Sequence, residues 1–263
     1  MAVPEILGAR WYRDQLCPHS QDIYDRIHSQ IARKDYSGRS VFPFPSGTPN
    51  EVAFAALRAL RKDHPEYYFL SKDREITRHP QTQTATLRYN FYYSPEILAR
   101  IEPQLQRALR RYTHGTERMS VLEKEATIYE RITTTLKYID TDDESNYNIV
   151  GPLLFGGGVC AGITDLLILC LRRSGIPSIR VRGKAGERAG LHAWCVAYIF
   201  GEPMHLDPTW DLNEKGCQFK YFNLSDRQIA AFNHFDFKSP RCVAEAYSQF
   251  DPHRDRIRFK YAI

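Results

Sequence analysis

The chain has 263 residues, 43% hydrophobic and 25% charged, an ordinary globular composition long enough for one large domain or two small ones. Its 36 basic and 31 acidic residues leave a net charge of +5, a modest excess. The basic clusters at Arg107, Arg110 and Arg111, at Arg172 and Arg173, and at Arg254, Arg256, Arg258 and Lys260 therefore read as solvated faces rather than a nucleic-acid surface. No apolar run reaches about 18 residues, so no membrane span is expected.

In chain order, Ile23, Ile27 and Ile31 recur at helical spacing and predict a helix over roughly 19–34. A Pro- and Gly-rich loop is expected from Ser37 to Thr48. Thr48-Pro49-Asn50-Glu51 combines a capping box with Pro at the first helical position, opening a helix that stops near His64-Pro65. Residues 84–93 alternate, with Ala85, Leu87, Tyr89, Phe91 and Tyr93 on one face, and predict a strand. Ser94-Pro95-Glu96 opens a helix carrying Ile97, Ile101, Leu105 and Leu109. Ser120 with Glu123 forms a second capping box, leading a helix through Ala126, Tyr129, Leu136 and Ile139.

The second half changes character. Gly156-Gly157-Gly158-Val159-Cys160 enters an apolar segment, Ile163 to Leu171, that ends at Gly175-Ile176-Pro177. A helix apolar on nearly every side belongs in the core. Strands follow at Ile179–Arg182, Leu191–Phe200 and Met204–Thr209, with a basic C-terminal strand carrying Ile257, Phe259 and Tyr261. Helices first, then one buried helix and antiparallel strands, is an α+β pattern. The expected division is a helix-rich region over 1–118 and a catalytic core over 119–263.

Six cysteines are present: Cys17, Cys160, Cys170, Cys195, Cys217 and Cys242. They form no C-x-x-C pair and no compact framework, so neither a zinc site nor disulfides are expected. The start, Met1 to Gly8, lacks the pattern of a secretory signal. A cytoplasmic protein with free thiols and no metal or cofactor is the resulting expectation.

Cys160 stands apart from the other five. It lies where a glycine-rich turn meets the buried helix, so unpaired N–H groups and the positive end of the macrodipole favour its thiolate. The same N–H groups could hold an oxyanion. On the following strand His192, Trp194, Val196 and Tyr198 share one face. With a two-residue hairpin loop at Phe200-Gly201, His192 pairs with Thr209 and Asp207 becomes its diagonal neighbour, within side-chain reach. Cys160, His192 and Asp207 thus satisfy the logic of a nucleophile, a base and a group that orients the base. Asp211 and Asp165 compete for the last role. Trp194, Trp210 and Gly158 are candidate cleft residues, and Asn148 and Tyr147 are candidate second oxyanion donors.

These motifs resemble the transglutaminase-like superfamily. The resemblance rests on Gly151-Pro152-Leu153, Gly158-Val159-Cys160-Ala161-Gly162, His192-Ala193-Trp194 and His205-Leu206-Asp207-Pro208-Thr209-Trp210-Asp211. Tyr221 to Asp226 looks like the family's continuation, and Asp63-His64-Pro65-Glu66 is similar to a segment upstream of the core in some bacterial members. The resemblance implies a papain-like core, with a nucleophile helix packed on an antiparallel sheet and Cys160, His192 and Asp207 as the triad. It further implies thioester chemistry on a protein or peptide amide, ending in hydrolysis or in amine transfer. The cysteine pairs of zinc-binding peptide:N-glycanases are missing.

Overall fold

The computed structural model describes residues 9–251 and 253–255. The C-terminal strand expected at Ile257, Phe259 and Tyr261 lies outside the described residues. The chain forms two compact units, Arg10–Pro103 and Gln104 onward.

In the first unit, α1 (Pro18–Ala32) buries Ile23, Tyr24, Ile27 and Ile31, the face its periodicity marks. A three-stranded antiparallel sheet has the order β1-β3-β2, from β1 (Arg39–Pro43), β2 (Leu70–His79) and β3 (Thr84–Phe91). Two of these strands correct the expected pattern. β1 runs through the supposed loop, burying Ser40 and Phe42 while Val41 faces outward, and its Pro43 is tolerated because β1 is an edge strand. β2 escapes the period-two signal because most of its residues face solvent. The helix α2 (Asn50–Asp63) starts with Pro49 at its N-cap and no side-chain cap. Proline occupying the cap position puts Thr48 outside it, so the expected capping box does not form.

The helix α3 (Pro95–Thr113) begins in the first unit and ends in the second. It buries Leu98, Leu105, Ala108 and Leu109, whereas Ile97 is exposed, so its apolar stripe is rotated from the expected one. In the second unit, α4 (Val121–Thr135) carries the expected Ser120–Glu123 capping box. It ends four residues before Ile139, and the chain passes into β4 (Lys137–Tyr138), which pairs in parallel with β5 (Gly157–Gly158). A π-helical turn, Gly151–Phe155, precedes β5.

The helix α5 (Cys160–Arg173) is the centre of this unit. Ile163, Leu166, Leu167, Ile168, Cys170 and Leu171 are all fully buried. It packs on an antiparallel sheet of order β8-β7-β6-β9, built from β6 (Ser178–Ala185), β7 (Gly190–Ile199), β8 (Glu202–Leu206) and β9 (His234–Phe235). Polar contacts fix that packing. Thr164 donates to the Ala193 carbonyl, Arg172 donates to the Ser178 carbonyl, and Arg180 pairs with Asp165. This is the α+β architecture implied by the sequence, a buried helix laid on an antiparallel sheet.

The β7–β8 turn consists of Phe200 and Gly201 with φ of 52° and 88°, the left-handed pair that a two-residue hairpin requires. Ile199 pairs with Glu202 and Cys195 with Leu206, the register deduced from the sequence. The ladder stops at Leu206 rather than Thr209, so Asp207 lies just past the strand end.

Candidate active site

Cys160 is the first residue of α5, with Val159 at the N-cap in extended conformation and no side-chain cap. The amide groups of Cys160, Ala161 and Gly162 therefore precede the first intrahelical bond, which Ile163 makes to the Val159 carbonyl. An anion on the Cys160 side chain or on a bound carbonyl oxygen gains from these donors. Cys160 is half-buried.

The glycines around Cys160 have a purpose beyond turning the chain. Only Gly156 of the Gly156–Gly158 run has positive φ, 75°. At Gly158 and Gly162 a Cβ would meet the Asn146 carbonyl at 2.7 and 2.5 Å, and at Gly162 also the Asn148 carbonyl at 2.7 Å. The segment 146–148 thus lies directly against the start of α5. Asn148, considered above as an oxyanion donor, turns its amide to the Glu144 carbonyl at 2.9 Å. Tyr147 is 45% exposed.

His192 is 9% exposed and Asp207 is fully buried. His192 Nε2 lies 2.6 Å from Asp207 Oδ2, and Cys160 lies near enough to His192 to act on its charge. With Nε2 committed to the carboxylate, Nδ1 is the ring atom left for the thiol. Burial disfavours the imidazolium, but the charge and hydrogen bond of Asp207, with the contact to Cys160, outweigh it and raise the His192 pKa to about 10. Asp207 shows the converse: burial disfavours its charge, and His192 with a second histidine holds it ionised, down to about 2. Its Oδ1 accepts the backbone N–H groups of Thr209 and Trp210 at 3.0 and 3.3 Å.

The competing carboxylates are committed elsewhere. Asp211 accepts from Tyr129 Oη at 2.7 Å and from the Tyr221 N–H at 2.8 Å, tying α4 to the loop after β8. Asp165 holds Arg180. Trp194, expected to wall a cleft, is instead fully buried. It stacks behind His192 at 5.9 Å between ring centres and donates to His205 Nδ1 at 2.9 Å. Gly183, paired with His192 across β6 and β7, leaves the space this indole fills. Trp210 is half-buried and lies 5.8 Å from the His192 ring, so it is one side wall of the imidazole.

The residue the sequence reading missed is His234 on β9. It is fully buried, and its Nε2 lies 2.8 Å from the same Asp207 Oδ2. Nothing in the residues around 234 signals a strand, so no local pattern could have found it. His192, Asp207 and His234 also converge closely enough to be considered as metal ligands. A zinc ion with about 2.0 Å bonds would hold its nitrogen and oxygen ligands roughly 3.3 Å apart. The observed 2.6 and 2.8 Å separations are those of hydrogen bonds. In a second cluster, His205, Asp226 and Cys242, the Trp194 N–H fixes the His205 proton on Nε2, which donates to Asp226 at 2.9 Å. That nitrogen has no lone pair to offer a metal.

Residues 107–208 match the transglutaminase-like superfamily. This segment holds Cys160, His192 and Asp207, and the class it defines is a thiol-enzyme fold. No curated protein matches the sequence. Among solved structures, the chain is similar to a candidate cysteine protease from Cytophaga hutchinsonii at 17% identity and a TM-score of 0.35, covering 56% of this chain and 66% of that one. It is also similar to a TGase at 10% identity and a TM-score of 0.39, covering 75% and 56%. A candidate protease from Parabacteroides distasonis gives 18% identity and a TM-score of 0.33, covering 52% and 30%. The chain spans less than two thirds of each of these structures' own lengths.

Proposed function

We propose that the protein is a thiol-dependent hydrolase of peptide or side-chain amides, acting through a thioester on Cys160. The observation that carries this reading is a half-buried Cys160 at a helix N-terminus beside His192, whose ring is hydrogen-bonded to the buried Asp207. A Cys160 thiolate and His192 imidazolium form the attacking pair. The sulfur adds to the amide carbonyl, and the amide N–H groups at the start of α5 receive the oxyanion. His192 Nδ1–H then protonates the departing amine, leaving a thioester. The neutral imidazole takes a proton from water, which attacks the thioester and releases the acid, regenerating the Cys160 thiolate and the His192 imidazolium. Asp207 orients the ring throughout.

The substrate is a protein or peptide. Exposed aromatic and aliphatic side chains near the site, Tyr138, Tyr147 and Leu191, suit a peptide with apolar neighbours to the reacting amide. Tyr138 is within electrostatic range of Cys160. The thiols support a reducing, cytoplasmic setting, since Cys17, Cys160, Cys170, Cys195, Cys217 and Cys242 are all free.

Amine transfer is the rival chemistry, and hydrolysis of a side-chain amide or of the backbone is told apart by its products. A protein-glutamine transglutaminase would incorporate a fluorescent amine into a glutamine-bearing protein, whereas a hydrolase would release ammonia or cleave the chain without incorporation. A deamidase would release ammonia with the backbone intact. A binding module without turnover is disfavoured by the half-buried, rather than sealed, Cys160. The decisive control is Cys160→Ala, which should abolish turnover in each enzymatic case. Unchanged turnover in that variant would refute the thioester.

A further inference from the structure

We infer that His234 is a positioning residue, a second imidazolium on Asp207 that limits how tightly the carboxylate holds the proton on His192. This rests on the reading of Cys160, His192 and Asp207 given above. The inference comes from the hydrogen bonds alone. His234 Nδ1 lies 3.0 Å from the Phe232 carbonyl oxygen, and Nε2 lies 2.8 Å from Asp207 Oδ2. A carbonyl oxygen only accepts, so Nδ1 carries a proton. An ionised carboxylate only accepts, so Nε2 carries one too.

Asp207 has no room for a proton of its own. Oδ2 faces Nε2 of both histidines, and Oδ1 faces the N–H groups of Thr209 and Trp210. Four N–H donors surround one carboxylate, which makes His234 a buried cation.

The consequence is electrostatic. The rings of His192 and His234 are 5.5 Å apart between centres. One carboxylate alone would hold the His192 proton so firmly that it would be a poor acid toward a leaving amine. A second cation on the same oxygen weakens that hold. The groups that face His234 are accounted for. Asp207 and His192 touch it, His205 and Tyr221 lie close by, and Lys184 and Asp236, next to it along the paired strands, bind each other at 2.7 Å.

The experiment is the rate of iodoacetamide alkylation at Cys160, resolved by peptide mass spectrometry across pH, in wild type and His234→Gln. The rate should rise once as the thiolate forms and again as His192 loses its proton. Glutamine keeps an N–H donor for Asp207 but removes the charge. The second rise should therefore move up by about one to two pH units, with a smaller shift in the first. A folded His234→Gln protein in which neither rise moves would overturn the inference.

Histidine-nitrogen NMR of the wild type gives a test that does not depend on the variant folding. Both His234 nitrogens should be protonated at neutral pH. One bare nitrogen would overturn the inference. Failure of the underlying triad looks different: wild-type Cys160 would then alkylate as an ordinary thiol, with a single rise, whatever the state of His234.

Discussion

Asp207 is the most heavily bonded side chain of the site, and Tyr129 shows how its surroundings are held. Tyr129 Oη lies 2.8 Å from the Asp207 carbonyl, 2.7 Å from Asp211 Oδ2 and 3.3 Å from the Tyr221 carbonyl. Tyr129→Phe removes that hydroxyl and takes the donor from the buried Asp207 carbonyl, which should cost about 1–3 kcal/mol, read as a lower urea midpoint with unchanged slope. A wild-type midpoint would show that the hydroxyl is not what joins α4 to the loop. The three proposed catalytic residues could be read from sequence because each obeys a local rule: Cys160 follows glycines into an apolar helix, and strand parity relates His192 to Asp207. His234 obeys none, since a strand of two residues brings it to Asp207. The alternation that placed Trp194 on the face of His192 was correct, but period two cannot say whether that face is open or covered, and Phe237 and His205 cover it.

At the scale of elements, the start of α5 depends on a close approach of backbone to backbone. Gly162→Ala would place a methyl group 2.5 Å from the Asn146 carbonyl and 2.7 Å from the Asn148 carbonyl, neither of which is a flexible side-chain end. We expect a loss of about 1–3 kcal/mol together with slower alkylation of Cys160, because the helix start must shift. Unaltered stability and alkylation would show that the segment 146–148 gives way freely. Helices α1, α4 and α5 were legible because their apolar spacing or capping residues are strong, and the β7–β8 register because Phe200-Gly201 fixes it. The elements missed or misplaced share a physical cause. β1 hides its buried positions among Ser, Pro and an outward Val41, and β2 is mostly solvated. β8 ends where Asp207 takes the backbone N–H groups of Thr209 and Trp210 in place of a ladder partner.

At the scale of the molecule, the second unit carries a buried acid that sets a pH dependence of its own. Glu125 is fully buried, and burial raises its pKa from 4.5 to about 8 against the opposing hydrogen bond from Asn223. The unfolded chain ionises this group near its ordinary value, so stability should fall as pH rises from about 4.5 to about 8 and level off above that. Glu125→Gln escapes the loss. The variant should gain on wild type across that window, by on the order of 2 kcal/mol near neutrality, seen as diverging melting temperatures. Parallel melting curves across pH would show that Glu125 is ionised in the fold. The match of residues 107–208 to the transglutaminase-like superfamily covers most of the motifs from Gly151 to Asp211. Among the described residues, no helix is long and apolar enough to cross a membrane.

The central claim is that His192 and Asp207 make Cys160 a thiolate. Cys170, Cys195, Cys217 and Cys242 are shifted upward mainly by burial, while exposed Cys17 is shifted downward mainly by its hydrogen bond to Ser20. Labelling must therefore be resolved peptide by peptide. The most direct measurement is the alkylation rate of Cys160 by iodoacetamide at about pH 5.5, where an ordinary thiol is almost wholly protonated, in wild type and His192→Ala. The account predicts rapid labelling in the wild type and a drop on the order of 100-fold in the variant, with Cys17 labelling equal in both. Equal Cys160 rates in the two proteins would contradict it.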